Sequence, residues 1–241
     1  MITPLVMGNW KMAIDLDGVV SFKAMWSSKR LLKGVEVAIA PPAPYLALMT
    51  DLPNVSLAGQ DASTQSIGAR TGDVSAKMLS DFTCRYVIVG HSERRQNHAE
   101  ANEQIAEKAR QVQALGMTPV VCVGESASER EAGLAEDFVT RQVIDSCVGL
   151  TSDLVIAYEP VWAIGSGEAA SPEIASAMHG RIKAALAESL GDIRVLYGGS
   201  VSMTNCASFS KAPEVDGLLV GGASLEAESF WQICASVGET S

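Results

Sequence analysis

No stretch of this sequence approaches the roughly 18 consecutive apolar residues of a membrane span. Its N-terminus, MITPLVMGNWK, lacks the secretory pattern of a basic segment, a long apolar region and a small-residue cleavage site. Basic charge is also short: 18 Lys and Arg face 28 Asp and Glu, for a formal net charge of −10. That balance argues against non-specific nucleic-acid binding. It also means that an anionic ligand must be held by local donors, because the global field repels it. The five cysteines (84, 122, 147, 206 and 234) form no CxxC pair and are odd in number, and the three histidines (91, 98 and 179) have no metal-ligand spacing. Neither a disulfide framework nor a metal site is expected. Most of the cysteines read as small core residues in a reducing compartment. Together these absences predict a soluble, cytoplasmic protein that uses no membrane and no metal.

What is present is an ordinary core-forming composition, 47% hydrophobic and 19% charged. Eight short apolar runs punctuate the chain, at 5–8, 35–40, 55–58, 86–89, 118–123, 154–158, 193–197 and 217–220. Several are continuous rather than alternating, which suits strands buried on both faces of a parallel sheet. Helical patterns lie between most of them. In 101–115, Ile105, Ala109, Val112 and Leu115 share one face, and Gly116 ends the pattern. Ser128 and Glu131 read as a capping box for the next helix, and Ser171-Pro172 as a cap with proline at the first helical position. The connection at 41–54 has room for a small helix only. No low-complexity linker divides the chain, so one domain over 1–241 is expected. Eight strand–helix repeats in this length predict an α/β protein of the (β/α)8 barrel type. A doubly wound open sheet is the alternative, but GNWKM after the first run lacks the GxGxxG of a dinucleotide-binding version.

Polar and special residues gather where the runs end. Asn9 and Lys11 follow the first, Gln60 and Asp61 the third, and His91, Ser92 and Glu93 the fourth. Glu125 follows the fifth and Glu159 the sixth; Gly198, Gly199 and Ser200 follow the seventh, Gly221 and Gly222 the eighth. In a barrel these ends converge on one face, where active sites form. The glycine pairs in YGGSV and VGGASL leave backbone N–H groups uncovered, and the second is placed to open a short helix. Such groups hold a phosphate without any cationic side chain. His91 stands just before a helix start, a position that disfavours the imidazolium. Lys11 is placed to supply positive charge to a developing oxyanion. Glu159 ends an apolar strand, Pro160 stops the chain from continuing as a helix, and Gly165 and Gly167 close a segment suited to a lid.

The segments GNWKM (8–12), VIVGHSERR (87–95), VCVGE (121–125), AYEPVWAIGSG (157–167), YGGSV (197–201) and LVGGASL (219–225) occur in order along nearly the whole chain. The sequence thereby resembles the triosephosphate isomerase family. The resemblance implies the TIM barrel, no cofactor, a small phosphorylated sugar as substrate, and interconversion of dihydroxyacetone phosphate and glyceraldehyde 3-phosphate. It implies that Glu159 is the base, that His91 is the neutral electrophile, that Lys11 stabilises the enediolate and that Asn9 orients the substrate. Gly165, Ser200, Gly221 and Gly222 would hold the phosphate through main-chain donors, Glu93 and Glu125 would support the site, and 160–170 would form the lid. It further implies a homodimer built through the loop 61–74, with Thr71 near its tip.

Several positions depart from the family pattern. In GARTGD, Arg70 and Asp73 stand where an aromatic and a glutamate are common, which predicts a weaker dimer interface unless Arg70 makes polar contacts instead. Ala13 replaces a frequent asparagine. Ser166 keeps a hydroxyl, and Glu168 reverses a charge at the far end of the lid. The competing readings are an isomerase of a larger phosphosugar such as a tetrulose phosphate, a catalytically silent binding paralogue, and a lyase using Lys11 as a Schiff base.

Overall fold

The continuous apolar runs become strands with no solvent-facing side. In the computed structural model, which describes residues 2–164 and 169–238, they are β1 (Leu5–Asn9), β2 (Glu36–Ala40), β3 (Ser56–Gly59), β4 (Tyr86–Val89), β5 (Thr118–Val123), β6 (Val155–Tyr158), β7 (Arg194–Tyr197) and β8 (Gly217–Val220). All pair in parallel in chain order, and β8 closes on β1 with Leu5 beside Gly217 and Gly8 beside Val220. The predicted barrel is therefore the observed one, and the open sheet is excluded.

Strand periodicity divides the core in two. Leu5, Met7, Ala38, Ala40, Ala58, Ile88, Val120, Cys122, Ala157 and Leu196 fill the barrel interior. Their neighbours Val6, Val37, Ile39, Val87, Val89, Val121, Ile156 and Val195 face outward into the helical layer. Each fully buried Val, Leu or Ile contributes about 1.5–3 kcal/mol, so the two layers supply most of the driving force for closure.

Ten helices among the described residues cover the outside: α1 (Leu16–Ser27), α2 (Leu46–Met49), α3 (Ala76–Asp81), α4 (Ser92–His98), α5 (Asn102–Gln113), α6 (Ala127–Glu131), α7 (Ala135–Ser146), α8 (Pro172–Leu190), α9 (Cys206–Ser210) and α10 (Ala227–Gly238). In α5, Ile105, Ala109 and Val112 are buried as their spacing predicts. Leu115 lies past the helix end and is exposed, because Gly116 turns the chain at φ +74°. Ser171 caps α8 by accepting from the Ile174 N–H, with Pro172 first in the helix. The predicted box at Ser128 and Glu131 is corrected. Ser126 and Glu129 have the same spacing and form the box, since Ser126 is the residue with extended backbone leaving β5. The 41–54 connection holds a three-residue 3-10 turn (Ala43–Tyr45) and the four-residue α2. No helix among the described residues is long and apolar enough to cross a membrane.

Candidate active site

Asn9 is the last residue of β1, and its side-chain oxygen accepts from the Lys11 N–H at 3.0 Å. Lys11 consequently adopts a left-handed backbone, φ +52°, a conformation that costs a non-glycine residue on the order of 1–3 kcal/mol. Gln60, at the end of β3, offsets that cost. Its amide donates to the carbonyls of Lys11 (2.8 Å) and Ala40 (2.9 Å). The Lys11 ammonium reaches Glu93 on α4, with Nζ 2.6 Å from Oε1. Three polar strand ends thus aim one cation.

His91 caps α4, and its Nδ1 accepts from the Glu93 N–H at 3.2 Å. Accepting there leaves the ring proton on Nε2, which lies 3.0 Å from Glu159 Oε1. The Glu93 carboxylate is 3.6 Å from Nδ1, too far for a hydrogen bond, so the N–H contact decides the tautomer. Glu159 is only 2% exposed; its second oxygen, Oε2, accepts from the Ser92 N–H at 2.8 Å. The carboxylate is therefore held by two donors from the start of α4, one of them the expected electrophile. Glu159 continues the β6 ladder through its N–H to Val123 O at 2.7 Å. A side chain at Gly124 would put a Cβ 1.7 Å from the Glu159 carbonyl oxygen, so only glycine admits this close approach of β5 and β6.

A cavity of about 330 Å³ opens at this end of the barrel. Asn9, Lys11, His91 and Glu159 line one part, and Gly198, Gly199, Ser200, Gly221 and Gly222 another. The chain from Gly222 to Ser224 forms a single 3-10 turn, tied back by bonds from the Ser224 N–H and hydroxyl to Gly221 O at 2.8 and 2.7 Å. The first N–H groups of such a turn have no partner within it and suit an anion. Ser200 also lines the cavity, but its N–H and hydroxyl both bond Ala163 O, at 3.2 and 2.7 Å. A phosphate using the Ser200 N–H must displace that carbonyl. Gly165, Ser166, Gly167 and Glu168 lie outside the described residues.

Both described ends of 160–170 are anchored. Glu125, fully buried, accepts from Trp162 Nε1 at 2.7 Å and from the Tyr158 hydroxyl at 3.0–3.1 Å, while Arg130 lies over the Trp162 ring. Burial first, then the adjacent Glu125 carboxylate, push the Tyr158 phenol far above its ordinary range. At the other end the Ala170 N–H donates to the Tyr197 hydroxyl at 3.0 Å. Burial raises that phenol to about 12.

Of the strand-end residues, Gln60, Ser92, Glu93 and Glu125 do not line the cavity, and neither does Asp61. It pairs with Lys108 and Arg94 beside the loop 61–74. That loop is tied to itself: Ser63 N–H to Val74 O at 2.8 Å, Ser63 hydroxyl to Asp73 at 2.8 Å, and Asp73 N–H to Arg70 O at 3.0 Å. Tyr197 and Arg95 escaped the sequence reading, because their partners Ala170 and Cys122 are 27 residues away in the chain.

A protein-family model described as triosephosphate isomerase matches residues 4–237. A triosephosphate isomerase from Paracidovorax citrulli is 48% identical, covering 96% of this chain and 97% of its own length. Those from Thermus thermophilus and Acidiphilium cryptum are 46% and 42% identical, covering 97% and 96% of this chain.

Proposed function

Since the chain belongs to the triosephosphate isomerase family and interconverts dihydroxyacetone phosphate and D-glyceraldehyde 3-phosphate, we propose the following division of labour among its residues. Glu159 takes the proton from the carbon beside the substrate carbonyl and returns it to the neighbouring carbon. His91 donates from Nε2 to the substrate oxygens, so the negative charge of the enediolate is met by a hydrogen bond as it forms. Lys11 adds positive charge at the same oxygens, and Asn9 orients them. Gly221 and Gly222, with Ser200 once Ala163 withdraws and with Gly165, hold the phosphate through N–H groups. This answers the charge problem of a protein with net charge −10. Closure of 160–170 excludes water and protects the intermediate.

The observation that carries this reading is the 3.0 Å approach of His91 Nε2 to Glu159 Oε1 on the wall of a cavity that also holds both glycine pairs. A substrate that enters must part the two, which leaves an acceptor and a donor facing adjacent carbon and oxygen atoms. The whole chain, 1–241, acts as one catalytic domain in the cytoplasm, in triose-phosphate metabolism. It works as a homodimer through the loop around Thr71, a surface on which Ile67 is 89% exposed in the single chain. A coupled assay of the purified protein, with glyceraldehyde 3-phosphate and a four-carbon ketose phosphate side by side, tests the substrate. A higher kcat/KM on the triose is expected, and the reverse order would reassign it.

A further inference from the structure

Arg94 and Arg95 are adjacent in α4 and have opposite surroundings. Arg94 pairs with two carboxylates, Asp61 and Glu100. Arg95 is wrapped by neutral acceptors: Nε donates to Gly90 O at 2.9 Å, Nη1 to Asn102 Oδ1 at 2.7 Å, and Nη2 to Cys122 O at 2.9 Å and Ser146 Oγ at 3.1 Å. Among the described residues it has no carboxylate in contact.

Glu159 is the complement. Among the described residues its oxygens meet a histidine, a backbone N–H and the Cys122 thiol, all of them neutral groups. The other charges nearby are already matched, Lys11 with Glu93 and Lys108 with Asp61 and Glu100. The guanidinium and the Glu159 carboxylate are thus two ions, each bonded to neutral groups, that balance one another without touching. Each also interacts with Cys122 on β5, the strand that pairs with β6.

We propose that Arg95 is a positioning residue for the isomerisation, fixing the turn that carries His91 and supplying the uncompensated positive charge that faces Glu159. The geometric half follows from the two carbonyls it holds. Gly90 turns β4 into α4 at φ +69°, and the residue after it is His91. Cys122 O precedes Val123, whose own carbonyl accepts from the Glu159 N–H. One planar fork therefore spans the His91 turn and the strand beside Glu159, and a lysine cannot reproduce that fork. The electrostatic half follows from sign. A positive charge favours the carboxylate form of a neighbouring acid and disfavours an imidazolium. The other titratable groups that face Arg95 do not compete. Cys122 on β5 and Cys147 at the end of α7 are thiols pushed upward by burial, and Glu100 is occupied by Lys108 and Arg94.

The inference rests on the assignment of Glu159 and His91 above, so Arg95→Gln and Arg95→Lys are measured alongside Glu159→Gln in the full-length enzyme. Rates are taken per active site, counted by titration with a tight-binding enediolate analogue. Arg95→Gln is expected to lower kcat by about 10²-fold, the scale of a small misplacement of reacting groups, with KM changed less than about threefold. It is also expected to move the acid limb of the kcat/KM profile up by about half a pH unit, through loss of one partly screened charge. Arg95→Lys keeps the charge, so the limb stays in place while kcat falls about tenfold. An unmoved acid limb in Arg95→Gln overturns the proposal, as does wild-type kcat per site in either variant. Should Arg95→Gln not fold, Arg95→Lys decides: wild-type kcat refutes, and a tenfold loss with an unmoved limb supports. Full turnover in Glu159→Gln would instead overturn the underlying assignment.

Discussion

Trp162 donates its indole N–H to Glu125 across 2.7 Å, and through that bond β5 holds the first turn of the segment that leaves Glu159. The Glu125 carboxylate is fully buried, and its donors are the Tyr158 hydroxyl, the Trp162 indole and, more distantly, Arg130 at 3.4 Å. Tyr158 and Trp162 flank Glu159 and Pro160, so the proposed base and the first turn of the proposed lid share one anchor.

Replacing Glu125 with Gln keeps the shape but turns an acceptor pair into an amide that faces two donors. A hydrogen bond to a charged group contributes about 1.5–3 kcal/mol, so kcat/KM is expected to fall about tenfold or more. Trp162→Phe removes only one donor and should cost less. Steady-state assays of both variants check the order, and a Glu125→Gln enzyme with wild-type kcat/KM would show that the anchor has no role in turnover.

Glu159→Gln tests the base itself. The amide retains an acceptor for the Ser92 N–H but cannot take a proton from carbon. A loss of kcat of at least roughly 10²–10⁴-fold is expected, with the protein still folded by circular dichroism. Turnover within tenfold of wild type would remove Glu159 from the mechanism.

The two kinds of site residue differ in how legible they are. Asn9, Lys11, His91 and Glu159 each end or follow a strand, and their convergence follows from barrel topology once the eight apolar runs are counted. The barrel was legible because parallel strands buried on both faces write continuous apolar runs. The capping box slipped by two residues because Ser126 and Ser128 each have a glutamate three positions on, and only the exit direction of β5 chooses between them. The Ser200 to Ala163 bonds, the Ala170 to Tyr197 bond and the Arg95 fork were not legible at all. They join segments whose proximity is a product of the closed barrel, and their residue types are common on any surface. Asp61 read as a site residue for the opposite reason: strand ends carry fold-supporting ion pairs as well as chemistry.

His179 yields a prediction about acid stability. It is wholly buried in α8, bonds the Glu214 carbonyl through Nδ1 at 3.1 Å and sets its ring edge-on to Tyr158. Burial above all holds its pKa down at about 3, against 6.5 in an exposed chain. Between those values the unfolded chain binds a proton that the folded chain does not, so stability is lost as pH falls through that window. From pH 7 to pH 5 this one group should cost about 2 kcal/mol. Denaturant unfolding at both pH values, compared with His179→Gln, checks it. The variant should lose that much less on acidification, and an equal loss in both proteins would assign the acid sensitivity elsewhere.

The loop 61–74 gives the last prediction, which concerns the proposed dimer. Arg70 stands beside Thr71, at the position where the resemblance to the family leads one to expect an aromatic ring. A buried ring anchors an interface more strongly than a long cation, which must shed water and order a flexible stem. Arg70→Phe is therefore expected to tighten self-association, lowering the dimer dissociation constant by tenfold or more, an amount equal to about 1.4 kcal/mol. The loop's internal bonds, Ser63 to Asp73 and Asp73 to the Arg70 carbonyl, do not involve the substituted side chain, so its frame should survive the change. Sedimentation velocity across a dilution series reads the effect directly. Activity per chain should persist to lower concentration in the variant if the dimer is the active form, as proposed. If Arg70 instead makes polar contacts across the interface, the variant will dissociate at higher concentration than the wild type, and the ring will have proved the weaker anchor here. A fully active monomer in both proteins would remove the dimer from the mechanism.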